Sequence, residues 1–117
     1  MKIVLVRAQC DSGRSCPNIN ATDRGTLVVQ GYVVDVETLS DLHIPAGETV
    51  VEVPLSLLPE LAADTTARTG LYLTDRDTVL VQGQQVTDQE ALGELRLPAG
   101  ETAVEVPTTR LPALIER

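Results

Sequence analysis

The chain has 117 residues, two Tyr, no Trp and no Phe, so Val, Leu and Ala must supply its core. Its 9 basic and 17 acidic side chains leave a net charge of −8. Such a surface repels nucleic acid, because cationic contacts to phosphate supply most of that binding free energy. The length suits one domain, or two units of about 50 residues that would each be marginal alone.

Met1 to Val6 reads as a short strand. The apolar run ends at Arg7, too short for a signal core or a membrane span, and the expected location is the cytoplasm. Cys10 and Cys16 then bracket a polar loop. Five residues separate them, whereas zinc pairs have roughly two to four, and His43 is the sole histidine. These thiols are weak metal candidates. They also read as a disulfide in an oxidising compartment, or as two plain thiols. No cofactor is expected.

Beyond this loop the sequence is written twice. Thr22-Asp23-Arg24-Gly25-Thr26 returns as Thr74-Asp75-Arg76-Asp77-Thr78, and Val29-Gln30-Gly31 as Val81-Gln82-Gly83. Pro45-Ala46-Gly47-Glu48 returns as Pro98-Ala99-Gly100-Glu101, after one inserted residue in the second copy. The copies cover about residues 16–61 and 69–114, preceded by a strand and Cys loop at 1–15. Such a duplication points to repeated supersecondary units.

Each copy starts with a hairpin. Gly25 and Asp77 share the position where a tight turn needs left-handed backbone, which Gly accepts freely and Asp better than most. Leu27 and Val29 share one face of the following strand and Val28 lies on the other, so this strand and its counterpart at Val79 to Val81 are central ones. Gly31 and Gly83 mark a bend or bulge. Asp35 opens one helix and Thr87 the other, the latter through the capping box Thr87-Asp88-Gln89-Glu90. Leu39, Leu42, Leu92 and Leu95 face inward at helical spacing. After the Pro-Ala-Gly turn, Val51 and Val53 alternate with Val50 and Glu52, and Val104 and Val106 with Ala103 and Glu105, as in half-buried strands. Pro54 and Pro107 end these strands. A helical turn after each lays Leu58 and Leu61, or Leu111 and Leu114, over the core. The predicted fold is mainly β with short helices: one pseudo-symmetric domain of tandem β-β-α-β repeats, closed as a small barrel to remove free strand edges.

The Leu-x-x-Pro-x-Gly-Glu-x-x-Val-x-Val string in each copy resembles the Gly-Asp box of cradle-loop barrels, which include double-psi barrels and AbrB- and MazE-type swapped hairpins. Glu48 and Glu101 stand where that box has Asp. The resemblance implies a barrel, and for the AbrB type a DNA-binding activity. Cys16-Pro17, Thr22 to Gly31 and Pro45 to Pro54 together look like a set of small uncharacterised actinobacterial proteins. That resemblance implies a helix-turn-helix regulator as partner and lends no activity. The second copy departs from it at Arg68-Thr69 and Asp77.

Asp23 and Asp75 recur as paired carboxylates do in aspartic proteases, but those enzymes require Asp-Thr/Ser-Gly and a shared proton. The better reading is that each Asp caps a hairpin turn, pairing with the neighbouring Arg or with backbone N–H groups. His43 is matched by Arg96, as suits an exposed helix end. Gln30 and Gln82 either bond backbone at a bulge or line a polar groove. Arg24, Arg76, Arg96 and Arg110 alternate with acids, so no basic stripe forms. No P-loop, dinucleotide, zincin or nucleophile-elbow motif is present.

The resulting expectation is a non-enzymatic binding module for a protein partner. Asp23, Arg24, Asp75, Arg76, Glu52 and Glu105 are its exposed contacts, and the partner that resemblance supplies is a DNA-binding regulator. Direct nucleic-acid binding and membrane association are not expected, and homo-oligomers stay open. The alternatives are an AbrB- or MazE-like DNA-binding protein and a small-ligand or metal-binding barrel.

Overall fold

The structure, a computed structural model, describes residues 2–8, 17–57, 71–74, 76–95, 97 and 99–108. These form β1 (Ile3–Ala8), β2 (Asn18–Thr22), β3 (Thr26–Val33), α1 (Val36–Leu42), β4 (Glu48–Pro54), β5 (Leu71–Leu73), β6 (Thr78–Gln85), α2 (Gln89–Leu95) and β7 (Glu101–Pro107). A 3₁₀ turn, Leu55–Leu57, follows β4 and buries Leu57. The architecture is mainly β, with every strand pair antiparallel.

The strands are exchanged between the two halves of the chain. β3 pairs with β7 over seven positions, Thr26–Tyr32 against Glu101–Pro107. β6 pairs with β4 over seven positions, Thr78–Gln84 against Glu48–Pro54. Two short contacts join these seams. Tyr32 and Val33 pair with Glu52 and Val51, and Gln84 and Gln85 pair with Glu105 and Val104. Four strands thus pair in a partial ring, with β2 and β1 extending it beside β3 and β5 beside β6.

Gly31 and Gly83 occupy the tight corners. A Cβ on Gly31 would lie 2.7 Å from the Glu52 carbonyl oxygen, and one on Gly83 2.6 Å from that of Glu105. Only a residue without a side chain lets β3 cross from β7 to β4 there, as the expected bend requires. Gly25 (φ 75) and Asp77 (φ 59) both adopt the left-handed turn conformation that their exchange predicted.

Strand alternation makes two layers. Leu27, Val29, Val51, Val53, Val79 and Val104 point into one buried cluster inside the ring. Each such side chain contributes about 1.5–3 kcal/mol relative to exposure, which is how a chain without Phe or Trp builds a core. On the outer face, α2 lays Ala91 and Leu95 over Val28 and Ala103. α1 lays Leu39 and Leu42 against Val50, Leu80 and Tyr72. Each helix therefore covers strands from both halves.

The second helix starts one residue later than predicted. The Ala91 N–H donates to Asp88 Oδ1 at 3.0 Å, and the Thr38 N–H to Asp35 Oδ1 at 2.9 Å. Asp88 is thus the counterpart of Asp35, and Thr87 is the inserted residue. Val86 and Val34, just before it, are both buried. A carboxylate caps a first turn as well as a Thr hydroxyl does, so the capping-box pattern pointed one position too early. The segments carrying Leu58, Leu61, Leu111 and Leu114 lie outside the described residues. Among the described residues, no helix is long and apolar enough to cross a membrane.

Candidate functional site

Each hairpin turn is held by a threonine. Thr22 Oγ1 accepts from the Arg24 and Thr26 N–H groups at 3.1 and 3.2 Å. Thr74 Oγ1 accepts from Arg76 and Thr78 at 3.1 and 3.3 Å. Asp23, predicted to cap its own turn, instead accepts from the Lys2 backbone N–H at 3.3 Å and ties β1 to the hairpin. Thr takes the capping position because its short hydroxyl reaches N–H groups two and four residues on.

These turns aim a second threonine at a glutamate across the long seam. Thr26 Oγ1 donates to Glu105 Oε2 at 2.5 Å, and Thr78 Oγ1 to Glu52 Oε2 at 2.6 Å. Arg76 Nη2 lies 2.8 Å from the same Glu52 oxygen. Arg24 is held more loosely, 3.3 Å from Asp88 and 3.9 Å from Glu105. The Thr78 hydrogen bond, with Arg76 beside it, keeps the Glu52 carboxyl below its usual range despite partial burial. The Asp35 carboxyl is lowered first by the Thr38 hydroxyl and then by the Thr38 N–H that it caps, and the Asp88 carboxyl first by the Ala91 N–H.

A second tier of glutamates lies at the opposite ends of β4 and β7. Gln82 Nε2 donates to Glu48 Oε1 and Gln30 Nε2 to Glu101 Oε1, both at 3.0 Å. Behind Gln30 the chain of bonds continues inward. Asn18 Nδ2 donates to Gln30 Oε1 and Asn20 Nδ2 to Asn18 Oδ1, and all three residues are fully buried. In the other half Tyr72 Oη donates to Gln82 Oε1 at 3.0 Å. No buried side-chain polar atom among the described residues lacks a partner, as a buried polar network requires.

The register sets one residue between two glutamates on each side. Tyr32 is opposite both Glu101 and Glu52. Gln84 is opposite both Glu48 and Glu105. Around Gln84 opens a cleft of about 360 Å³, lined also by Arg24, Thr26, Gly83 and Pro107. A second hollow of about 350 Å³ lies at the end of α1, lined by Leu39, Ser40, His43, Ile44 and Glu48. His43 is exposed there, in left-handed conformation (φ 55).

The structure gathers Arg24 with Glu105, and Arg76 with Glu52. The two arginines are exposed, as expected. Glu52 and Glu105, expected as exposed contacts, are instead half-buried and already bonded, because the crossing strands press their outer faces against the hairpin turns. Asp23 is exposed beside the turn. Asp75, Arg96, Arg110, Cys10 and Cys16 lie outside the described residues. Among the described residues, no group of three or more His, Cys, Asp and Glu side chains is placed to hold a metal. Sequence reasoning took the Thr22 to Gly25 and Thr74 to Asp77 turns as exposed contacts but gave Thr22, Thr26 and their counterparts no role of their own. Their signal was the Thr-x-x-x-Thr spacing that both copies keep.

Comparison of the chain with protein families, curated proteins and solved structures gives no significant match.

Proposed function

We propose that this chain is a non-enzymatic, protein-binding module that engages a partner with a basic surface. The observation that supports this is the outer face of the ring. It carries Glu52 with Glu101 and Glu48 with Glu105, each pair flanking one residue, on a chain of net charge −8. Carboxylates fixed by hydroxyl and amide donors give a directed negative field, which speeds encounter with a positive surface and rejects like-charged ones. The ring itself is read as a small pseudo-twofold barrel, made by two β-β-α-β halves of a duplicated chain and working in the cytoplasm. By its resemblance to the small actinobacterial proteins, the partner is a helix-turn-helix regulator, whose DNA-binding surface this acidic face would contest.

The test is a pull-down of the tagged chain from its host lysate, with and without nuclease, read by mass spectrometry. The expected result is one helix-turn-helix protein in both samples, lost when Glu52 and Glu105 are changed to Lys. A labelled duplex shifted by the pure protein would overturn the reading in favour of direct DNA binding.

A further inference from the structure

Glu48 stands between two hollows and lines both. On one side is the cleft of about 360 Å³ around Gln84, with Arg24 and Glu105 in its wall. On the other is the hollow of about 350 Å³ at the end of α1, walled in part by Leu39 and Ile44. Each is within the roughly 300–1,000 Å³ range of small-ligand sites. One wall is charged and the other is aliphatic, so the pair suits a small molecule that is charged at one end and apolar at the other.

The charges define that end more closely. Glu48 Oε1 accepts from Gln82 Nε2, and Gln82 is held in turn by Tyr72 Oη. Glu48 Oε2 has no hydrogen-bond partner among the described residues. A carboxylate can accept about four hydrogen bonds, so Glu48 is fixed in direction and keeps acceptor capacity for an ammonium. Arg24 lines the same cleft with its side chain 55% exposed, 3.3 Å from Asp88 and 3.9 Å from Glu105. Its counterpart Arg76 lies 2.8 Å from Glu52. The more loosely held guanidinium of the two therefore sits where a carboxylate of the ligand can meet it.

We infer that this groove binds the α-ammonium and aliphatic side chain of an amino acid. The ammonium donates to Glu48 Oε2, and the side chain lies against Leu39 and Ile44. A free amino acid sets its carboxylate on Arg24, whereas the first residue of a peptide has none to set there. The inference stands apart from the basic-partner reading, which the pull-down tests. It belongs to one half: in the other, Tyr32 holds the place of Gln84 between its two glutamates.

The experiment titrates the whole protein at low salt with leucine, leucinamide, glycine and N-acetylleucine, following the Gly83 amide by NMR. Leucine should bind, and glycine and N-acetylleucine should bind at least about tenfold more weakly, having lost the side chain or the ammonium. E48Q keeps a carbonyl for Gln82 and removes the charge; it should weaken leucine about tenfold. Q84Y brings in the residue that the other half carries and should weaken leucine as much by filling the cleft. E94Q removes an exposed charge on α2, outside the groove, and should change nothing. R24Q weakening leucine but not leucinamide would assign the site to a free amino acid; binding of leucinamide without leucine would assign it to a peptide N-terminus and remove Arg24 from it. No binding of either by the wild type would overturn the inference. So would E48Q at wild-type affinity, or N-acetylleucine bound as well as leucine.

Discussion

The Thr78 hydroxyl lies 2.6 Å from Glu52 Oε2, joining the start of β6 to the outer face of β4 across the long seam between the two halves. Removing that hydroxyl in Thr78→Val should cost about 1 kcal/mol, the usual net worth of such a bond. Urea denaturation at neutral pH measures it.

The same pair sets an acid limb of stability. The folded-state value of Glu52 is depressed from 4.5. Its contribution is therefore complete above that value and is lost as pH falls through the lower, folded one. In Thr78→Val the main cause of the depression is gone. The stability of that variant should then depend less on pH below 4.5 than the wild type's does. Denaturation midpoints at a series of acid pH values would show the two curves converging as pH falls. Parallel curves would remove Glu52 from the account.

The glycines separate by their surroundings. Gly31→Ala and Gly83→Ala force a methyl onto backbone at 2.7 and 2.6 Å. Each should cost about 3 kcal/mol or abolish cooperative unfolding. Gly93→Ala, in α2 with nothing within 4 Å of the new methyl, should gain about 0.5–1 kcal/mol from helix propensity. Thermal melts of the three variants suffice.

The start of α2 allows a one-residue discrimination. Asp88→Ala should cost about 1 kcal/mol through the lost cap on the Ala91 N–H. Thr87→Ala should change stability by less than about 0.5 kcal/mol, as expected for a surface residue outside any cap. Equal losses would return the cap to Thr87.

Thr74→Ala takes away the acceptor for two turn N–H groups. It should cost about 1–2 kcal/mol, and Thr22→Ala about as much. Faster amide exchange at Arg76 and Thr78 would localise the first loss to its hairpin.

Local features were legible because they leave a local trace. Gly25 exchanged for Asp77 announced a left-handed turn, alternation at Val51 and Val53 announced a strand with a core face, and Leu39 and Leu42 announced the buried side of a short helix. What was hidden depends on residues far apart in the chain. Nothing near Thr26 says that its hydroxyl will reach Glu105. The half-burial of Glu52 arises only when β4 crosses beside the second hairpin. Asn18 and Asn20 read as ordinary polar strand residues, and Gln30 as bonding backbone at a bulge or lining a groove, until the register stacks all three into one row of side-chain bonds. The misplaced helix start had a different origin: Thr87 and Asp88 are both good caps, and only the buried Val86 before them decides between the two.

The exchanged seams tie the two halves of the chain to each other. A substitution on β3 that faces the ring is felt first by β7, not by its own neighbours β4 and α1 in sequence. Interior positions must therefore change in concert across the chain, and a half expressed alone would expose both long seams. The outer corner at Tyr32 and Gln84 escapes that bond, since neither residue packs inside the ring. There the two halves differ, with Tyr32 in one and Gln84 in the other.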